Sequence, residues 1–438
     1  MKLSKYLIIS QLSNGNYSVF STITRSLVML TTEKYSLASN GDFDKAFSDE
    51  EIAFLKDRRF IVEADENELN FLSVSMNKDR LSPKVFSTYI ALSTLCNFSC
   101  VYCYEKGQVD SFNTMDQETL LKTISWYENT LKSNGYKECK VCLYGGEPLL
   151  CEALLKEFVE KLNSVCENKN VKLSYSMITN GYLLKKDICE YLISKGLEEV
   201  QITLDGCQEI HDKRRMKKNG EGTFDTIIEN IKWIAYNTSL IITIRSSFDS
   251  TNSCEIKDLL FYLQSINLHK RIRLYFAPIH QTETQKQTGC SFCSQHIYDD
   301  YSEVSDCFVD LYKTSSKLGF ETPTCYTNGP CMVLASDSCL IAPNGDLYKC
   351  VEMIGKPELC VGNVKEKKYN YRYYDFLRGS IFNECIESGC IYAPLCGGGC
   401  TMEALVKNNR LDCKSCHDKI FKSLTGVLNA LKCGGELI

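Results

Sequence analysis

Histidine is scarce in this 438-residue chain: there are five, against 25 cysteines. Metal centres built on imidazole are thereby disfavoured, and thiolate ligation becomes the alternative to weigh. Basic charge is short as well. Lysine and arginine total 50 and aspartate and glutamate 55, a net charge of -5 that offers no positive field to a phosphate backbone, so nucleic acid is not the expected partner. No apolar run approaches the ~18–20 residues of a membrane span, so no membrane is expected either. Lys2 and Lys5 precede only Tyr6-Leu-Ile-Ile9 before polar residues resume. That is too short for the apolar core of a secretion signal and predicts a cytoplasmic protein. Without export, 25 cysteines point to metal or cluster ligation in place of a disulfide framework.

What is present is enough for two or three domains, each with its own core. Apolar residues make up 44% and charged residues 24%, a globular balance. Residues 1–85 open with three short strands, Tyr6–Ser10, Tyr17–Ser21 and Ser26–Leu30, the first two joined across an Asn14-Gly15 hairpin signal. Ser48-Asp-Glu-Glu51 is a capping box for a helix running to about Asp57, and Arg59–Val62 follows as a wing strand before the acidic stretch 63–70. This arrangement resembles a small winged-helix module.

From Val85 the pattern alternates. Strands are expected at 86–93, 139–144, 172–178, 199–204, 240–246 and 271–276, with helices at 115–134, 151–168, 184–195, 224–238 and 254–265. Thr114-Met-Asp-Gln117 is expected to cap the first helix, and Gly135 and Gly196 to stop the first and third. Six strands alternating with helices imply an α/β fold with a parallel sheet and right-handed crossovers, its functional residues at the C-terminal strand ends.

The most informative stretch follows the first of those strands. Cys96, Cys100 and Cys103 form a C-x3-C-x2-C array within Leu92–Gly107, wrapped in Phe98, Tyr102 and Tyr104. Three thiolates stand where a cubane iron–sulfur cluster would accept four, which leaves one iron open to a small molecule. A zinc site would need a second cysteine pair nearby, and none lies between Cys103 and Cys139. After the second strand comes Gly145-Gly-Glu-Pro148, two glycines that admit close backbone approach beside a carboxylate suited to an ammonium group. Thr179-Asn-Gly181 and Leu204-Asp-Gly206 end the third and fourth strands, and Arg245 stands near the end of the fifth.

The cysteine spacing, with an aromatic just before the last cysteine, resembles the radical S-adenosylmethionine (radical SAM) enzymes. That resemblance implies a partial (β/α)6 TIM-like barrel over residues 86–285, a [4Fe–4S] cluster on Cys96, Cys100 and Cys103, and S-adenosylmethionine held by Tyr102, Gly145, Gly146, Glu147, Pro148, Asn180 and Arg215. His211-Asp-Lys-Arg-Arg215 with Gly220-Glu-Gly-Thr-Phe224 resembles the pattern of peptide-maturing and sulfatase-maturing members. Arg215 would then face the cofactor carboxylate or form a structural ion pair.

The region 286–438 resembles the SPASM domain, a cysteine-rich module that typically holds two auxiliary clusters. Cys331, Gly345 and Cys350 give C-x13-G-x4-C, and Cys385, Cys390, Cys396 and Cys400 give C-x4-C-x5-C-x3-C, followed by Cys413 and Cys416. One spacing departs from the signature, with four residues between Cys385 and Cys390 where two are usual. By the family pattern, one auxiliary cluster takes Cys325, Cys331, Cys350 and Cys400, and the other Cys385, Cys390, Cys396 and Cys416, with Cys413 the rival for the last place. Little periodicity remains after about 285, so ligands and not a broad apolar core are expected to hold this part together. Cys139, Cys142, Cys151, Cys166 and Cys189 are expected to be small buried hydrophobes, and Cys290 and Cys293 a structural pair or a grip for a thiol-bearing substrate.

Together these features imply a radical SAM oxidoreductase with three [4Fe–4S] clusters that crosslinks a ribosomal precursor peptide, forming a thioether from cysteine sulfur to carbon. An external flavodoxin- or ferredoxin-like protein would donate electrons. In such relatives the winged-helix module of residues 1–85 is a recognition element that grips a leader peptide by strand addition. The alternatives are an anaerobic sulfatase-maturating enzyme that makes formylglycine, a maturase forming C–C or C–O bonds, and a non-catalytic iron–sulfur scaffold, for which a cofactor pocket would have no use.

Overall fold

In the computed structural model, residues 1–82, 84–105, 114–282, 285, 292, 298, 301–321, 331–366 and 368–433 are described. Cys290, Cys293 and Cys325 lie outside them.

The N-terminal part pairs β1 (Lys2–Leu3) with β5 (Ile61–Val62) and builds a three-stranded antiparallel sheet, β2 (Leu7–Gln11), β3 (Tyr17–Ser21) and β4 (Leu27–Leu30), with β4 at one edge. Three helices sit between them: α1 (Thr32–Ser39), α2 (Phe43–Ala46) and α3 (Asp49–Asp57). The capping box is present at α3, where Ser48 and Glu51 bond each other's backbone N–H. A helix that the acidic stretch concealed, α4 (Glu68–Leu81), begins where the Asn67 side chain accepts from the N–H groups of Leu69 and Asn70.

The central sheet is nine strands wide. Six are parallel and in chain order: β6 (Val85–Ala91), β7 (Glu138–Tyr144), β8 (Lys172–Thr179), β9 (Leu197–Thr203), β10 (Ile241–Phe248) and β11 (Ile272–Pro278). The helices between them are α5 (Gln117–Asn134), α6 (Glu152–Lys169), α7 (Lys186–Ser194), α8 (Gln208–Arg214), α9 (Phe224–Asn237) and α10 (Ser253–Ser265). Their apolar stripes bury Leu155, Phe158, Val159 and Leu162 of α6 and Ile227, Ile231 and Ile234 of α9 in one core with the strands. The cap of α5 is Asp116, which accepts from the Thr119 N–H at 2.7 Å; Thr114 instead bonds Ser93 at the start of the cysteine loop.

Beyond α11 (Tyr301–Lys317) the chain returns to the same sheet. β12 (Ser338–Ile341) lies parallel to β6, and β13 (Asp346–Tyr348) and β14 (Gly362–Asn363) continue antiparallel from it. The expectation of a region without a broad apolar core is corrected here: Leu340, Ala342, Tyr348, Met353 and Ile354 are fully buried against Ala91 and Tyr144. Short strands and single helical turns supplied too little periodicity for the core to show. The last helices are α12 (Tyr371–Arg378), α13 (Ser380–Glu387), α14 (Ala393–Cys396), α15 (Thr401–Asn408) and α16 (Asp418–Lys432).

The N-terminal sheet rests on this C-terminal part. Ile8 and Phe20 pack on Leu395 with Tyr392 and Phe421, and Tyr6 and Leu72 pack on Leu334, Phe382 and Ile386. The Arg80 guanidinium, 1% exposed, is the polar bolt at this junction, donating to the carbonyls of Leu334 and Leu377.

Candidate functional site

Cys96, Cys100 and Cys103 sit on the loop leaving the C-terminal end of β6, where the sheet topology directs functional groups. The backbone of the Gly145–Glu147 turn lies directly on that loop: the Gly146 N–H donates to Ser93 O at 3.3 Å and the Glu147 N–H to Leu95 O at 2.8 Å. A Cβ on Gly146 would stand 2.3 Å from Leu95 O, and one on Gly145, at φ +129°, 2.2 Å from Ser93 O. The two glycines are required by this contact between main chains. The Glu147 carboxylate is fully buried and accepts from the N–H groups of Leu149 and Asn180 and from the Thr179 hydroxyl. It thus ties the ends of β7 and β8 together. Asn180 reaches the cysteine loop, donating to Asn97 Oδ1 at 2.8 Å and lying 4.0 Å from Cys96 Sγ.

The far wall is the segment after β9. Backbone bonds from Ser99 to Met216 and from Val101 to Arg214 pair the cysteine loop with it. That segment is braced by the 220–224 turn: Asp212 accepts from the N–H groups of Thr223 and Phe224, His211 bonds Thr223 at 3.1 Å, and the Thr223 hydroxyl donates to Arg215 O. The two short motifs are therefore one structural unit that holds the loop. Tyr102, half-buried, donates to Asp205 and accepts from Arg215 Nη1 at 2.7 Å. Burial alone would push the Arg215 pKa down, but Cys100, Tyr102 and Asp205 outweigh it and hold the guanidinium charged. Arg214 pairs with Asp249 at 2.9 Å.

Burial raises all three thiols, Cys96 to about 11 and Cys103 to about 12, and the charges of neighbouring cysteines add to the rise at both. Cys100 is raised by burial and eased by Arg215. Such thiols stay protonated until a metal displaces the protons. Among the described residues, no three His, Cys, Asp or Glu side chains are set to hold a single ion.

Residues 90–243, from β6 into β10, match the model of the Radical SAM superfamily. The chain carries a radical SAM domain, and the protein is an enzyme. Its parallel sheet is consistent with the partial barrel of that domain. A Cysteine-type anaerobic sulfatase-maturating enzyme of Clostridium novyi (strain NT) is 25% identical over 332 residues, covering 70% of this chain and 85% of that one. Among solved structures, anSMEcpe with bound AdoMet has a TM-score of 0.59 at 20% identity, covering 80% of this chain and 99% of its own. Streptococcus suis SuiB bound to precursor peptide SuiA has a TM-score of 0.52 at 16% identity, covering 94% and 98%.

A radical SAM domain implies S-adenosylmethionine and a [4Fe–4S] cluster, and the residues present fit both. The donors are three clustered thiols, each of which a cubane would take on a separate iron. Arg215 Nε, at the end of α8, and Arg245 Nε and Ser246 Oγ, within β10, are buried with no hydrogen-bond partner among the described residues, as groups that serve a polar ligand would be.

In the C-terminal part the cysteines fall into two groups. Cys331, Cys350 and Cys400 act electrostatically on one another, with Cys350 held well above its ordinary pKa by burial and then by Glu352 and Cys331. Cys385 and Cys396, raised by burial, both sense Cys416, and Cys416 senses Cys390. Cys413 instead lines a cavity of about 360 Å³ with Cys331, Cys400 and Leu411. The unusual spacing of Cys385 and Cys390 has a physical cause. Helix α13 ends there in a paired turn in which the Cys390 N–H donates to Cys385 O at 3.1 Å and the Gly389 N–H to Ile386 O at 2.8 Å, with Gly389 at φ +72°. The intervening residues complete that turn and return Cys390 to Cys385.

Other expectations land as follows. Pro148 opens a single 3-10 turn after Glu147. Cys139, Cys142, Cys166 and Cys189 are buried in strands and helices, whereas Cys151 is half-buried at the foot of α6. Sequence reading passed over Glu352, half-buried near Cys350, paired with His280 at 2.9 Å and held low by His280 and Arg245 against the effect of burial. It also passed over Glu105, whose carboxyl burial lifts to about 7. Each follows a cysteine of interest by two residues, after Cys350 and Cys103, but what surrounds each carboxyl is a property of the assembled fold.

Proposed function

We propose that this radical SAM enzyme oxidatively crosslinks a ribosomally made peptide, most simply as a thioether between a cysteine sulfur and a carbon of another residue. The observation that carries the reading is the N-terminal part: a small helix-and-sheet unit with edge strand β4 available for strand addition, anchored on the C-terminal cysteine region. In this reading residues 1–85 are the winged-helix-like recognition module, 86–285 the barrel and 286–438 a SPASM domain. SuiB, whose structure is bound to a precursor peptide, shares its fold with 94% of this chain.

When bound, S-adenosylmethionine and the reduced cluster would supply a 5′-deoxyadenosyl radical that takes a hydrogen atom from a substrate carbon, and two auxiliary clusters would accept the electron left over as the C–S bond forms. The chain's part is placement. Cys96, Cys100 and Cys103 hold the first cluster. Tyr102, Gly145, Gly146, Glu147, Pro148, Asn180 and Arg215 form the cofactor wall: Glu147 locks β7 to β8, and Arg215 sets a positive charge beside Cys100. Cys331, Cys350 and Cys400, with Cys325, are assigned to one auxiliary cluster and Cys385, Cys390, Cys396 and Cys416 to the other; the mutual influence within each group supports this division. Cys413 stands apart beside the first group. A flavodoxin- or ferredoxin-like protein would supply the reducing electron.

A second reading, formylglycine formation on a sulfatase, is favoured by the 25% identity over 332 residues to a sulfatase-maturating enzyme. Anaerobic incubation of the reconstituted enzyme with S-adenosylmethionine, a reductant and cysteine-bearing peptides of both kinds separates the two. A two-hydrogen mass loss with sulfur retained and the thiol blocked supports the thioether. Two-hydrogen loss with a free thiol indicates a C–C or C–O bond, and loss of sulfur with a hydrazide-reactive aldehyde establishes the second reading.

A further inference from the structure

The N-terminal part meets the Cys385–Cys390 turn through Lys5 and Tyr6. A Cβ on Gly389 would stand 3.7 Å from Lys5 Nζ, and Tyr6 shares with Leu72, Phe382 and Ile386 an apolar cluster against which Cys385 and Cys390 pack. The backbone of Tyr6 is pinned on both sides, its N–H donating to Ser4 Oγ at 3.1 Å and its carbonyl accepting from Thr22 N at 2.9 Å. The main chain at Tyr6 is therefore held on both sides. Yet the hydroxyl of this residue, which is 0% exposed, has no hydrogen-bond partner among the described residues. A buried hydroxyl left unmade costs about 1–3 kcal/mol, so a sequence that places tyrosine where phenylalanine would fit needs a partner for it. Cys390 is a sulfur packed against the apolar cluster that holds this ring. A thiol is a poor acceptor, whereas a thiolate bound to iron carries the negative charge that a hydroxyl can serve.

We infer that Tyr6 is a positioning residue for the second cysteine group: its O–H donates to the Cys390 sulfur when that sulfur is a metal thiolate, and the N-terminal module thereby sets the reduction potential of that centre. The inference rests on the reading that Cys385, Cys390, Cys396 and Cys416 hold a cluster. A donor to cluster sulfur stabilises the reduced, more negative state above the oxidised one, so removing it lowers the midpoint potential. This ties the module proposed to bind the peptide to the centre proposed to accept the electron.

The test uses the full-length reconstituted enzyme carrying Cys96→Ala, Cys100→Ala and Cys103→Ala, so that only auxiliary signals remain, with and without Tyr6→Phe. Iron and sulfide are counted on the samples used for potentiometric titration followed by electron paramagnetic resonance. About eight irons in both proteins, with one midpoint shifted downward by Tyr6→Phe and the other unmoved, is the expected result. Unmoved midpoints, or two equal shifts, overturn the role of Tyr6 while leaving the clusters standing. Fewer than about eight irons without Tyr6→Phe overturns the auxiliary-cluster reading itself, and the inference with it. If Tyr6→Phe alone fails to load iron, the parent protein decides. A strongly coupled exchangeable deuteron on one reduced auxiliary centre after transfer to D2O is expected, and its absence overturns the inference.

Discussion

At Gly146 a single hydrogen atom separates a working contact from a collision. The nearest obstacles to a Cβ are the carbonyls of Leu95 at 2.3 Å and Thr94 at 2.5 Å, main-chain atoms that cannot swing aside. Gly146→Ala is therefore expected to displace the cysteine loop and lose roughly the four irons of one cluster, read as iron per chain, with cofactor cleavage abolished. His211 makes a prediction of another kind. It is 0% exposed, accepts the Asp205 N–H at Nδ1, and is held well below its ordinary pKa by burial and then by Arg215 and Arg214. The unfolded chain protonates its histidine below about pH 6.5 while the folded one does not, so this contribution to stability is complete above that pH and is lost as pH falls, by up to about 1.4 kcal/mol per unit. Thermal melts of wild type and His211→Asn between about pH 7.5 and 5.5 should show the steeper decline in the wild type. These residues were legible to different degrees. Gly145 and Gly146 announce themselves in a motif, whereas the pairing of Asn180 with Asn97, or of Tyr102 with Asp205, joins positions that no spacing connects.

Elements were the most legible scale. The apolar alternation located all six parallel strands in chain order and one helix after each of the first five, because each strand repeats a buried pattern over seven or more residues and each of those helices runs nine or more; the seven-residue α8 was too short to show. Helix α4 escaped because Asp65, Glu66 and Glu68 read as solvent-exposed loop, although Glu68 is buried and bonded to Ser4. Its position changes how the N-terminal part should be tested. Removing residues 1–80 would uncover Leu334, Phe382 and Leu395 and leave the Leu334 and Leu377 carbonyls without Arg80, so lost function would report lost folding. Edge strand β4 offers a cleaner handle. Since the Ser21 N–H donates to Ser26 O, alternation along the ladder turns the backbone N–H of Met29 away from β3. Met29→Pro removes an outward donor without breaking the sheet. Leader-peptide affinity measured by calorimetry should fall at least about tenfold, the equivalent of roughly 1.4 kcal/mol, with the melting temperature unchanged; equal affinity would exclude strand addition at this edge.

For the whole molecule, the thiol groups set a count. The enzyme after anaerobic reconstitution should hold about twelve irons, falling to about eight when Cys96, Cys100 and Cys103 are replaced by alanine. About four falling to none would remove the C-terminal clusters from the scheme. The division of the C-terminal cysteines into two groups came from the family resemblance, since spacing alone runs Cys400 on with Cys385, Cys390 and Cys396, and their attachment to the central sheet came from neither. β12 is four residues long and joins β6, a strand encoded far upstream. This pairing has a consequence for how the chain is made. During synthesis the edge of β6, which leads straight into the cysteine loop, stays bare until roughly 250 more residues have left the ribosome. The loop that carries Cys96, Cys100 and Cys103 therefore leaves one of the last strands of the sheet to gain both its neighbours. A nascent chain arrested before Ser338 should keep β6 open to chaperones or to cluster-delivery factors, and the metal should arrive after translation has passed that point.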